Sequence, residues 1–219
     1  MTLDGDGAEH WPGAALASLA EIEHAIADQP SDQAGIRLTG QPILVDLLCA
    51  NGAIGGLVAR RMGAEARPVR MILFDKSAAT NWALGWHQDR TIIVRRRLAV
   101  DGFGPWTIKA GLHHVAPPVE LLARMITLRI HLDPVPAANA PLLVAPGSHR
   151  LGRVPEGEIT RTVARCGVRA CLAETGDIWA YSTPILHASD AAAEPRRRRV
   201  LQVDYAAEDL PGGLEWLGI

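Results

Sequence analysis

His87-Gln88-Asp89 places an imidazole and a carboxylate two residues apart. In an extended strand, side chains two apart project the same way, so His87 and Asp89 would point together while Gln88 turns to the other face. The pair supplies two neighbouring ligands for a divalent metal. A second histidine from a distant strand would complete the two-histidine, one-carboxylate facial triad of non-haem Fe(II) oxygenases. Three protein ligands leave three adjacent positions open, two for a bidentate 2-oxo acid and one for O2. By itself a His-x-Asp tripeptide is common by chance, and most isolated histidines are surface or satisfied core residues. A second segment adds to it. His187 lies in Pro184-Ile185-Leu186-His187-Ala188-Ser189, just after an apolar strand-length run, and Arg198 follows eleven residues later at the start of another. A histidine and an arginine one hairpin apart offer a third metal ligand and a planar fork of donors for a carboxylate.

The elements that must position these residues change character along the chain. The first third reads helical. Ala14 to Asp28 carries Leu16, Leu19, Ala20, Ile22 and Ile26 near one helical face and is ended by Pro30. A second helix is expected from Ile43 to Cys49, and a third from the N-cap candidate Asn51 to Gly63. From Arg67 onward, short apolar or alternating runs are bounded by turn residues: Val69–Phe74, Thr91–Val94, Ile126–Leu132, Pro141–Ala145, Val168–Leu172, Ile178–Tyr181 and Val200–Tyr205. Only Pro118 to Arg124 interrupts with a short helical pattern. Helices followed by many short strands predict a mainly β jelly roll with an N-terminal helical flank, not a doubly wound sheet. The chain is expected to be one domain, residues 1–219, with the flank at about 1–66 and the core at about 67–205.

Composition narrows the partners. Twenty-two Lys+Arg against 24 Asp+Glu give a formal charge of -2, without the basic surplus of a nucleic-acid binder. The most apolar early stretch, Ile43 to Met62, is broken by Asp46, Asn51 and Arg60, so no membrane span is expected. Cys49, Cys166 and Cys171 form no disulfide framework and no CxxC pair. The first basic residue is Arg37, which does not suit a secretory signal, and a cytoplasmic location is expected.

With these segments in view, the chain resembles the phytanoyl-CoA dioxygenase family of Fe(II)/2-oxoglutarate oxygenases, over roughly Arg67 to Tyr205. Four segments carry the likeness: Phe74-Asp75-Lys76, His87-Gln88-Asp89, Pro141-Leu142 through Pro146-Gly147-Ser148-His149-Arg150, and His187-x-Ser189 followed by Arg198. The resemblance implies a double-stranded β-helix, a cupin-like jelly roll. It implies His87, Asp89 and His187 as iron ligands, with 2-oxoglutarate and O2 as cosubstrates. Arg198 would bind the distal carboxylate of 2-oxoglutarate, with Ser189 beside it and Lys76 also in reach. Family members can carry an aromatic residue on the strand after the His-x-Asp segment; here Thr127 or Arg129 stands near that position. The implied reaction releases succinate and CO2 and hydroxylates an unactivated C–H bond of a small molecule. The carboxylate at Asp89 favours hydroxylation over the halogenation of relatives with a small residue there.

Several of the remaining polar or aromatic features are open. Trp82 and Trp86 flank the His-x-Asp segment and read as core, with Trp86 alternatively a substrate contact, and Gln88 is a further candidate contact. His113-His114, before Pro117-Pro118, reads as a loop that is either exposed or reaches the pocket mouth. Arg129 and His131 share a face that is either an inward pocket floor suited to an anionic substrate or solvated. Gly147-Ser148-His149-Arg150 reads as a structural turn beside the site. The substrate is expected to be small and polar or anionic. The competing functions are a metal-dependent hydrolase or isomerase on a cupin-like barrel, which would need neither O2 nor Arg198, and a non-catalytic binding barrel. Among Arg196 to Arg199, strand alternation puts Arg198 on the polar face with Gln202 and Asp204, and Arg199 on the bulky face with Leu201, Val203 and Tyr205.

Overall fold

The computed structural model of the protein describes residues 1–31, 33 and 35–219. Six strands form the large antiparallel sheet. In chain order they are β1 (Ala8–Trp11), β2 (Ile36–Arg37), β3 (Arg67–Lys76), then β8 (Ile126–His131), β11 (Ile178–Ser182) and β13 (Arg198–Ala206), ordered in space β1-β11-β8-β13-β3-β2. A four-stranded sheet, β10-β9-β12-β4, combines β4 (Leu84–His87), β9 (Leu142–Val144), β10 (Arg169–Cys171) and β12 (His187–Ser189). A third sheet, β5-β7-β6, comprises β5 (Ile92–Val94), β6 (Trp106–Lys109) and β7 (Leu112–Val115). The strands are paired antiparallel throughout. The architecture is the expected jelly roll.

Register decides what each face of the large sheet carries. Arg198 lies opposite Lys76, Gln202 opposite both Ile72 and Arg129, and Asp204 opposite both Arg70 and Thr127. Directly opposed residues share a face. One polar row therefore runs across three strands and points between the sheets. The alternate residues, Met71, Leu73, Leu128, Ile130, Leu201, Val203 and Tyr205, form the opposite, apolar face. Four helices of the N-terminal part accompany it: α1 (Leu3–Asp6), α2 (Leu19–Ala25), α3 (Pro42–Leu48) and α4 (Gly55–Met62). Ile22, Leu44, Leu48, Ile54 and Val58, all essentially inaccessible, pack on that face. The Tyr205 hydroxyl donates to the Leu48 carbonyl at 3.0 Å, tying α3 to the sheet. Two further helices, α5 (Val119–Ala123) and α6 (Ile159–Cys166), lie elsewhere. α6 brings Val163 into a small core with Ala145, Val154 and Leu186, outside the four-stranded sheet.

Several expectations need correction. The first helix is shorter than Ala14 to Asp28: residues 16–18 form a single 3-10 turn ahead of α2. Asn51 does not cap the third helix, which starts at Gly55. Residues 51–54 instead make a tight connection. A β-carbon at 52 or 55 would collide with backbone carbonyl oxygens of α3 and its end, so these glycines allow the two helices to approach. The N-terminal part is also not purely helical, because β1 and β2 are the two edges of the large sheet. His113-His114 is strand, not loop. It belongs to a hairpin whose turn, Ala110-Gly111, has both residues at positive φ. Among the described residues no helix is long and apolar enough to cross a membrane.

Candidate metal and cosubstrate site

His87 ends β4 and His187 starts β12, directly opposite each other in the four-stranded sheet. Asp89 follows two residues beyond β4. One donor atom from each of His87, Asp89 and His187 lies within 4.8 Å of the other two, a spacing at which all three can hold one ion. The imidazole centroids are 4.2 Å apart. Each ring is oriented by its own chain: His87 Nδ1 is 2.8 Å from the Gly85 carbonyl and His187 Nδ1 is 2.9 Å from that of Ile185. A carbonyl accepts only, so each Nδ1 carries the proton and each Nε2 keeps a free lone pair, the tautomer a metal needs. Burial lowers the His187 pKa to about 4, leaving it neutral at pH 7.

Asp89 is steadied by Arg70 of β3, whose guanidinium sits 3.3 Å from its Oδ2 and donates through Nε to Asp204 at 2.5 Å. Thr127 supports Asp204 in turn, donating to it at 3.1 Å. Burial opposes ionisation of Asp89, but the Arg70 guanidinium, by its charge and its hydrogen bond, leads the forces that overcome it and hold the carboxyl below its usual range.

The donors open onto a cavity of about 110 Å³, also lined by Arg70, Phe74, Trp82, Arg129, Ser189 and Arg198. Arg129 and Arg198 line it and Lys76 stands behind Ser189, and among the described residues no carboxylate is bonded to any of the three. Arg198, 3% exposed, donates to the Ala140 carbonyl. Lys76 donates to the Trp82 carbonyl at 2.7 Å and lies 3.3 Å from Ser189 Oγ. Arg129 donates to Gln202 Oε1 at 3.1 Å, and its Nε is buried without a partner. Burial and then Arg129 push Arg198 down to about 9, and burial, Arg198 and Arg129 push Lys76 down to about 8. Buried like charges are costly unless an anion joins them. A dicarboxylate with one end on the metal and the other on this cluster fits that need.

Other expected residues fall elsewhere. Thr127 does not line the cavity; its hydroxyl is taken by Asp204 and by Thr183 at 3.0 Å. Trp86 packs on the outside of the four-stranded sheet against the α6 core, and Trp82 is the tryptophan at the cavity. The sequence offered no way to choose between them, because the loop after β3 turns Trp82 inward over the Lys76 ammonium at 4.1 Å. Gln88 is a structural clamp, donating to the Gly152 and Pro184 carbonyls and accepting from the Val154 amide. Gln88→Ala is expected to lower stability by about 2–4 kcal/mol, since it strands two buried polar groups and one half-buried one. A urea titration with unchanged iron content per folded molecule checks this. Gly147-Ser148-His149-Arg150 forms a turn in which Ser148 Oγ accepts from the Leu186 amide at 2.9 Å, fixing the segment that delivers His187.

Arg129 and His131 both face inward and are buried. Among the described residues neither ring nitrogen of His131 has a partner, and burial, Arg129 and Arg198 lower its pKa to about 3. His114 is likewise buried, outside the cavity lining, with a pKa lowered to about 4. Both histidines are neutral when folded but gain protons near pH 6.5 when unfolded, so the unfolded state binds more protons below that pH. The stability of the metal-free protein is therefore expected to fall progressively as pH drops from about 6.5 toward 4. Melting temperatures across that window check the sign.

The family model for phytanoyl-CoA dioxygenase (PhyH) matches residues 24–200. The chain belongs to this family. Comparison with curated proteins returned no matching sequence. Solved structures share the fold at low identity. EctD from S. alaskensis, crystallised with 2-oxoglutarate and 5-hydroxyectoine, superposes with a TM-score of 0.66 at 17% identity, covering 93% of this chain and 73% of its own. HygX from Streptomyces hygroscopicus with nickel and 2-oxoglutarate gives 0.59 at 14%, covering 93% and 84%. The epimerase SnoN in complex with Fe3+, alpha ketoglutarate and nogalamycin RO gives 0.63 at 16%, covering 96% and 88%.

Proposed function

We propose that this protein is an Fe(II)- and 2-oxoglutarate-dependent dioxygenase that hydroxylates an unactivated C–H bond of a small molecule. The observation that carries the reading is the pairing of two sites at one cavity: a two-histidine, one-carboxylate donor set and, with it, the buried Arg129 and Arg198 on the cavity wall and Lys76 behind Ser189, none bonded to a carboxylate among the described residues. His87, Asp89 and His187 would hold the metal. Arg70 keeps Asp89 ionised and aimed. Arg198 and Lys76, with Ser189 between Lys76 and the cavity, would receive the distal carboxylate of 2-oxoglutarate. Phe74 and Trp82, 6.5 Å apart, wall the cavity and limit water. When bound, iron and 2-oxoglutarate supply an oxidant from O2, with succinate and CO2 as by-products. Family membership and the iron- and 2-oxoglutarate-bound neighbours support this reading. We read residues 1–219 as one catalytic domain, because β1, β2 and Trp216 of the flanks belong to the same sheets and cores.

Anaerobic addition of Fe(II) and 2-oxoglutarate is expected to produce the weak green-region charge-transfer band of a bidentate 2-oxo acid on iron, and admission of O2 to release succinate slowly. Turnover of an ester or sugar under argon, independent of 2-oxoglutarate, would establish the hydrolase reading instead.

A further inference from the structure

A second cavity meets the metal site. It measures about 240 Å³, and Pro117, Pro118, Val119 and Leu122, from α5 and the segment leading into it, give it an apolar wall. Asp89 lines this cavity and the cosubstrate cavity alike, so the two adjoin at the metal-ligating carboxylate. Neither Arg129 nor Arg198 lines it, so it is not the cosubstrate's place. Sites for drug-sized molecules span roughly 300–1,000 Å³, so the occupant here is small.

Beside Asp89, the polar side chains on the wall are Gln88, Arg90 and Arg153. Gln88 is spent on backbone, and it brackets Arg153: it donates to the Gly152 carbonyl and accepts from the Val154 amide, both at 2.9 Å. Arg90 Nη2 donates to the Val154 carbonyl at 2.6 Å, and its Nη1 lies 3.6 Å from the exposed Glu156. Three hydrogen bonds from the metal-binding segment thus hold the backbone on both sides of Arg153. Among the described residues no carboxylate pairs with the Arg153 guanidinium. An exposed arginine is ordinarily only solvated. This one is anchored to the segment that carries two metal ligands, on the wall of a cavity that reaches one of them. Its planar fork of donors matches a carboxylate or a phosphate.

We propose that this cavity receives the prime substrate, a small molecule with an apolar body and one oxyanionic group, and that Arg153 binds that group. The proposal rests on the oxygenase reading above and names its substrate class. The apolar body packs on the proline-rich wall, and the carbon to be oxidised is presented to the metal past Asp89. A coenzyme A thioester is too large to be held in this space.

The test uses protein loaded with Mn(II) and saturated with 2-oxoglutarate under argon, so that no other acid takes the cosubstrate's place. Proton relaxation of phenylacetate, phenyl phosphate and the neutral phenylacetamide, enhanced near the paramagnetic ion, reports binding. At least one of the two anions is expected to show saturable enhancement with an affinity at least tenfold above that of the amide, and which one responds separates acids from phosphate esters. Arg153→Gln is expected to weaken the responding anion at least tenfold and to leave phenylacetamide unchanged, a difference that loss of folding would not produce. Val119→Trp, which narrows the cavity, is expected to weaken all three probes. Arg96→Gln, exposed and outside the cavity lining, is expected to change none. Equal binding of anion and amide, anion binding indifferent to Arg153→Gln, or no enhancement while 2-oxoglutarate still binds overturns this proposal alone. Failure of the wild-type protein to bind 2-oxoglutarate overturns the oxygenase reading and this proposal with it.

Discussion

Arg198→Ala is expected to raise the apparent KM for 2-oxoglutarate at least a hundredfold, while Arg197→Ala leaves it nearly unchanged. Arg198 is buried, lines the cavity and has no carboxylate partner among the described residues. Breaking a desolvated charge pair costs about 3–5 kcal/mol, or roughly two to three and a half decades of affinity. Its neighbours point the other way. Arg197 makes a bidentate pair with Asp75 at 2.8 and 3.2 Å with more than half of its side chain exposed, and Arg199 is paired with Asp133 and Glu23 on the helical side. Exposed pairs are worth only about 0–1 kcal/mol. A second readout separates an anion seat from a structural role. Without ligand, Arg198 faces Arg129 and Lys76 unfavourably, so Arg198→Ala is expected to melt no lower than wild type while binding 2-oxoglutarate far more weakly. Sensitivity at Arg197 or Arg199 instead would show that the cosubstrate lies on the other face.

Alanine at His87, Asp89 or His187 is expected to abolish iron retention and reduce succinate formation to that of free iron. Catalytic sites of this kind use three protein ligands, and even a neighbour that merely orients a ligand is worth about 10- to 100-fold in metal affinity. Loss of a ligand should exceed that. The measurement is bound iron per folded molecule together with succinate formed. A useful comparison is Asp133→Asn. His131-Leu132-Asp133 has the same His-x-Asp spacing, yet Asp133 binds Arg199 on the helical side while His131 is buried inward. This variant is expected to keep its iron. Wild-type turnover in His187→Ala would remove His187 from the ligand set.

What could be read from the chain alone follows from local rules. Strand alternation is a property of the extended backbone, so the parity of β13 separates Arg198, Gln202 and Asp204 from Leu201, Val203 and Tyr205 before any partner is known. Turn-bounded runs mark most strands of the jelly roll, and four ordered segments carry the family resemblance. Short, polar or edge elements carry no such signal. β2 is two residues long, and the β6–β7 hairpin turns at Ala110-Gly111 instead of an Asn-Gly, so His114 read as loop.

The rest depends on which distant residues meet. His87-x-Asp89 and His131-x-Asp133 are equivalent as tripeptides; only the pairing of β4 with β12 brings His187 to the first and not the second. Trp82 and Trp86 are equally apolar, and the loop leaving β3 decides which reaches the cavity. Gln88 looked available for substrate until its three partners, 64 to 96 residues away, came into place. The cation cluster of Lys76, Arg129 and Arg198 is likewise a product of sheet register and sheet packing. Periodicity tells a side chain which face it occupies, but charge complementarity is a property of what stands opposite, and that is set by long-range pairing.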